Sequence, residues 1–219
     1  NFKSTAIPQN GYLNKAFNFV ASDLSDDVVL ATDNYEISKI EIVAKKDGEV
    51  SNLSATKAIN KKELKKSDIK NLPVIESIAE NEGKWIVTFT LYDLNNNKIE
   101  KTVDFSMDVT KPTVSIEKVP QAEDDRTSPF TFKGKASDKG LSSLSEVKVS
   151  LDKNTWTTAI GTKEWNCELA IPKEGEGVVY AKAIDGAGNE SAIVEKAFTF
   201  DKSRPSVAVT TKSGNPEWA

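Results

Sequence analysis

Four side chains in this sequence carry the oxygen chemistry of a hard-cation site: Asp138, Asp185, Asn189 and Asp201. Carboxylates and amide carbonyls suit calcium, which takes roughly six to eight oxygen ligands. Each of the four falls where an alternating strand gives way to a turn, close to the boundaries of a repeat described below. They do not form a contiguous calcium loop, and Asp and Asn are also the residues that close tight turns. A turn-forming role is therefore the simpler expectation. No cofactor is expected, and calcium is the one candidate, with an evident use in locking neighbouring domains into a straight rod.

Other chemistries lack parts. The sequence has no histidine and a single cysteine, Cys167. That removes Ser-His-Asp and Cys-His catalysis, the usual zinc, copper and haem ligand sets, and any intrachain disulfide. Cys167 alternates with Trp165, Leu169 and Ile171, the position of a small core side chain. Gly134, Gly186 and Gly188 lack the lysine and helix of a phosphate loop. The carboxylate pairs Asp26–Asp27 and Asp124–Asp125 could in principle serve glycoside hydrolysis. Neighbours on an extended strand point to opposite faces, however, so neither pair converges on one substrate. No enzymatic activity is expected.

The tryptophans raise a different chemistry, ring stacking on sugars. Trp85 and Trp165 open alternating strands and read as core or rim residues. Trp156 follows a Lys-Asn turn and is the candidate ligand-binding ring. A flat surface joining Trp156, Trp218 and a tyrosine would make a glycan platform, whereas a buried Trp156 would not.

Charge and composition narrow the partners. With 29 Lys and Arg against 33 Asp and Glu the net charge is −4, and the basic residues are dispersed except near residues 61–70. That speaks against nucleic acid. No apolar run reaches the length of a membrane span, so insertion of this segment is not expected. The first residues, Asn1, Phe2 and Lys3, carry neither an initiator Met nor a signal pattern, which reads as an excised or processed piece.

The elements that must hold these residues come from an internal repeat. Phe105, Met107, Asp108, Lys111, Pro112 and Val114 return as Phe198, Phe200, Asp201, Arg204, Pro205 and Val207, 93 positions later. Residues 85–93 return as 177–185 at an offset of 92, with Val87, Phe89 and Leu91 matched by Val179, Ala181 and Ala183. Alternation of this kind marks strands with one buried face. The following Leu94-to-Asn97 and Gly186-to-Asn189 segments read as tight turns. A looser match joins residues 17–23 to 130–138. A period this long suits a whole β-sandwich of about 100 residues rather than a solenoid unit. The expected plan is one sandwich over 1–108 with a longer loop at 45–80, a second over 109–201, and a linker with the first strand of a third repeat at 202–219. One departure is expected near residues 60–73, where Asn60 and Glu63 have capping-box spacing and Pro73 lies beyond, predicting a short helical turn.

The second repeat resembles the bacterial immunoglobulin-like (Big-type) tandem repeat domains. The residues that carry the resemblance are Ala136, Ser137 and Asp138, the strand from Glu146 to Asp152, Trp156, Trp165, and Ala183, Asp185, Gly188 and Asn189 closing on Asp201 and Pro205. The first repeat matches less well, since Asn97 stands where Gly188 and Asn189 end the second. The resemblance implies an all-β fold of tandem immunoglobulin-like β-sandwiches in a bacterial cell-surface or secreted protein. It also implies a stalk, spacer or adhesive role whose neighbours are further repeats and whose external partner is an unidentified surface glycan or protein. The alternative is a carbohydrate-binding accessory module of a secreted enzyme or adhesin.

Overall fold

A computed structural model describes residues 11–14, 17–18, 29–69, 74–75, 82–121, 128–203 and 206–208. Asp26, Asp27, Asp124, Asp125 and Trp218 lie outside these residues, as does most of the expected third-repeat strand. The described chain is all-β, without an α-helix. No helix among the described residues is long and apolar enough to cross a membrane.

Residues up to 107 build β1 (Tyr12–Leu13), β2 (Phe17–Asn18), β3 (Val29–Lys46), β4 (Glu49–Val50), β5 (Ala55–Lys65), β6 (Val74–Ile75), β7 (Gly83–Asp93) and β8 (Lys98–Met107). Six of them form one sheet in the order β1-β8-β7-β3-β4, with β5 also paired to β3, while β2 and β6 make a separate ribbon. The alternation in β7 does what its pattern requires. Trp85, Val87, Phe89 and Leu91 are buried and Lys84 and Ile86 face outward. Trp85 stacks on Phe105 of the neighbouring β8 with ring centroids 6.3 Å apart. Ile40, Ile42, Ala44 and Leu64 complete this core.

The helical turn expected from Asn60 does not form there. Residues up to Lys65 are strand, paired to β3 with Leu64 opposite Ala31 and Lys57 opposite Ile40. Burial of Ile59 and Leu64 outweighs the capping pattern, and Asn60 instead takes φ 52° where the register of the pair shifts. Among the described residues of this stretch, Lys66–Ile69 alone curls into a 3₁₀ turn. Asp68 closes it, accepting from the Lys65 amide and pairing with the Lys61 ammonium.

Residues 113–200 build β9 (Thr113–Lys118), β10 (Phe130–Ser137), β11 (Leu144–Ser150), β12 (Thr157–Thr158), β13 (Glu164–Leu169), β14 (Gly175–Asp185) and β15 (Val194–Phe200). They make a three-stranded sheet, β13-β10-β9, and a four-stranded one, β12-β11-β14-β15. Their inner faces share one core, with Phe132, Trp165 and Cys167 from the first and Val147, Val149, Val179, Ala181 and Phe200 from the second. Seven strands split three and four around a common core are an immunoglobulin-like β-sandwich. Gly134 is required for this closure, because a Cβ there would sit 2.0 Å from the Ser115 carbonyl and 2.4 Å from the Trp165 ring. The Cys167 thiol lies in the core as expected, and burial pushes its pKa up.

Candidate functional site

The site is built on the turn that ends β14. The Asn189 amide N–H donates to Asp185 Oδ1 at 2.8 Å, its side-chain Nδ2 donates to Asp185 Oδ2 at 2.8 Å, and the Asp185 amide returns a bond to the Asn189 carbonyl. Gly188 takes φ 86°, the left-handed conformation that glycine adopts without a Cβ clash. Both carboxylate oxygens of Asp185 are therefore held in place by their own turn, and the residue is 2% exposed.

Into this turn comes the chain leaving β8. Asp108 is fully buried, at 0% exposure. Its backbone N–H donates to the Leu13 carbonyl, and its own carbonyl accepts Asn189 Nδ2 at 2.9 Å. Its Oδ1 accepts the Thr110 amide at 3.0 Å and its Oδ2 accepts the Ser142 amide at 2.6 Å. The carboxylate lies directly on Gly140, where a Cβ would be 2.4 Å from Oδ1. Between β10 and β11, Asp138 receives the Gly140 amide on Oδ1, while its Oδ2 is buried without a hydrogen-bond partner.

The result is three carboxylates, Asp108, Asp138 and Asp185, with one oxygen from each within 4.8 Å of the others. Burial pushes the Asp138 carboxyl above its ordinary value, and the neighbouring Asp108 and Asp185 charges push the same way. None of the ion pairs among the described residues reaches this cluster. Like charges gathered in a shielded site are relieved either by protonation or by a cation. The donors are all oxygen, which selects hard cations. Two ligands each about 2.4 Å from one ion lie at most about 5 Å apart, so the three oxygens are near enough to share one ion. The bare Asp138 oxygen fits a ligand position.

The structure brings together Asp138, Asp185 and Asn189, as the sequence grouped them. It separates Asp201. Pairing of Gly175 with Phe200 sets Asp201 beside the start of β14, whereas Asp185 ends it. Eleven strand residues at about 3.3 Å each put the two roughly 35 Å apart. Asp201 is exposed there and accepts the Ser203 amide. Its place in the cluster is taken by Asp108, its own mate in the repeat, which the sequence grouping omitted. The signal is the repeat itself, which pairs Asp108 with Asp201; the structure sets Asp108, after β8, against the loops of the sandwich at residues 113–200.

Trp156 is half-buried. Its Nε1 donates to the Lys153 carbonyl at 3.0 Å, the Lys182 ammonium lies 5.2 Å from its ring, and the Lys153 ammonium covers Tyr180 at 4.3 Å. Lysines already occupy ring faces that a sugar would use.

No family model matches the sequence, and no curated protein matches it. Among solved structures, the chain is similar to the fibronectin(III)-like modules of Clostridium thermocellum CbhA, with 15% identity, 92% of this chain and 93% of that chain covered, and a TM-score of 0.48. It is also similar to a tetra-tandem repeat in the extending region of a large adhesion protein, with 18% identity, 81% of this chain and 44% of that one covered, and a TM-score of 0.34. A third similarity is to an amphioxus IgVJ-C2 molecule, with 11% identity, coverage of 78% and 93%, and a TM-score of 0.31.

Proposed function

We propose that this chain is a non-catalytic spacer or adhesive segment of a bacterial cell-surface or secreted protein. In this reading residues 1–108 and 109–201 are two modules in tandem, and the Asp108 linker with a bound calcium ion sets their relative orientation. Asp108, Asp138 and Asp185 supply the carboxylate ligands, and Asn189 positions both Asp185 and the linker carbonyl. The observation that carries the reading is the buried, unpartnered Asp138 Oδ2 in a cluster of three carboxylates that joins the linker to the loops of the following sandwich. Pro112 supports it, since its fixed φ and missing N–H stiffen the short connection to β9. Calcium would supply a counter-charge to the three gathered carboxylates. A glycan-binding reading rests on Trp156 alone and is the weaker of the two.

Thermal unfolding in excess calcium and in chelator tests this directly. A cation that binds only the folded state raises the midpoint, by an amount equivalent to about 2.7 kcal/mol at a hundredfold excess over its dissociation constant. Asp138→Asn removes a ligand charge and should abolish the calcium-dependent part of the shift. An identical midpoint with calcium and with chelator in the parent chain would overturn the metal-bound junction.

A further inference from the structure

The linker geometry at Asp108 occurs twice in the molecule. Asp108 Oδ1 accepts the Thr110 amide at 3.0 Å, and Asp201 Oδ1 accepts the Ser203 amide at 2.8 Å. Thr110 Oγ1 donates to Glu82 at 2.9 Å, and Ser203 Oγ donates to Glu174 at 2.7 Å. Both glutamates stand immediately before a glycine of positive φ that opens a long central strand, Gly83 of β7 and Gly175 of β14. Met107 and Phe200, just ahead of the two aspartates, are both buried in the cores they close. Residues 107–110 and 200–203 are therefore one local structure made twice.

They differ in what meets them. Asp108 is fully buried because Ser142 N–H, Gly140 and Asn189 Nδ2 receive its carboxylate and carbonyl. Asp201 presents the same carboxylate, in the same turn, to solvent. The turn and the glutamate clamp settle the backbone of 201–203 before anything docks, so the ordering cost of docking is already met.

We propose that residues 201–203 are a docking plug for a further immunoglobulin-like module. The partner is defined by what receives Asp108: a loop with glycine under the carboxylate, a backbone N–H two residues on, and an Asp-x-x-x-Asn turn whose Asn amide reaches the linker carbonyl. A sandwich of the kind formed by residues 113–200 has this chemistry, and a side chain at the Gly140 position would press on the docked carboxylate and weaken the plug. The proposal rests on reading Asp108 as a module junction.

The test extends the chain through Arg204 with a second copy of residues 112–201, so that the copied Pro112 takes the place of Pro205. Hydrogen exchange of the Ser142 amide is read in both the original and the copied sandwich, and amides of β14 in the copy report that it is folded. The plug predicts that Asp201→Ala speeds exchange at the copied Ser142 by at least about tenfold, the scale of one charge-assisted hydrogen bond. The same change leaves the original Ser142 alone. Asp108→Ala should do the reverse. Equal exchange at the copied Ser142 with and without Asp201, while Asp108→Ala still exposes the original, overturns the plug only. Indifference of both Ser142 amides to their aspartates overturns the junction reading with it.

Discussion

The turns at 93–97 and 185–189 are the same object in two settings. In each, the Asn amide donates to Asp Oδ1 at 2.8 Å and the Asn side chain donates to Asp Oδ2, at 2.7 Å in the first and 2.8 Å in the second. In each, the Asp amide closes the loop on the Asn carbonyl. The company differs. Asn189 spends a second donor on the Asp108 carbonyl, and its Asp185 lies in a three-carboxylate cluster. Asp93 and Asn97 instead line an open cavity of about 540 Å³ together with Asp33, Ile37 and Ile99. Five residues of sequence are enough to specify the turn, and the neighbour that docks on it decides whether it becomes a site.

The largest separation between the two turns should come from removing the aspartate. Asp185→Ala leaves the Asn189 donors and the linker without their organiser in a buried setting, at a cost of about 3 kcal/mol in denaturant unfolding. Asp93→Ala removes a turn alone and should cost clearly less. Equal losses would mean that the junction adds nothing to the turn. Gly140→Ala comes next. Its Cβ would overlap the Asp108 carboxylate, so the carboxylate or the loop must shift, at about 1–3 kcal/mol, and the calcium response should fall with it. An undiminished calcium shift in that variant would place the ion away from Asp108.

Much of this architecture is legible along the chain because it depends on near neighbours. The alternation of Val87, Phe89 and Leu91, the Trp165 and Cys167 pair, and both Asp-to-Asn turns announce themselves within a few residues. Two features do not. The strand through Lys61 and Lys62 reads along the chain as a short helical turn because residues 60–63 are polar and all exposed, and only its pairing with β3 reveals Ile59 and Leu64 as core. The placing of Asp108 depends on bonds to residues 34 and 81 positions away, made where the end of β8 meets loops of the following sandwich. No local pattern encodes such a contact. The repeat comes nearest, since it marks Asp108 and Asp201 as equivalent, but equivalence gives no direction, and residue type alone groups Asp201 with a turn at the opposite end of β14.

The smallest expected effect is electrostatic and isolates the unattended turn. The Asn97 side-chain amide, helped by the Asn97 and Asn95 backbone amides, holds the Asp93 carboxyl below its ordinary value of 3.8. A carboxyl whose pKa is lower folded than unfolded contributes stability above the unfolded value, and that contribution fades as pH falls through the folded one. Asn97→Ala should therefore return the Asp93 pKa toward 3.8, read by carbon NMR of the side-chain carboxyl, and remove that part of the acid sensitivity below about pH 4. The calcium response should be untouched, because Asn97 belongs to the turn that no linker joins among the described residues. If Asn97→Ala instead weakened calcium binding as Asn189→Ala should, the two turns would not differ in the way their surroundings imply, and the ion would answer to the turn motif rather than to the junction.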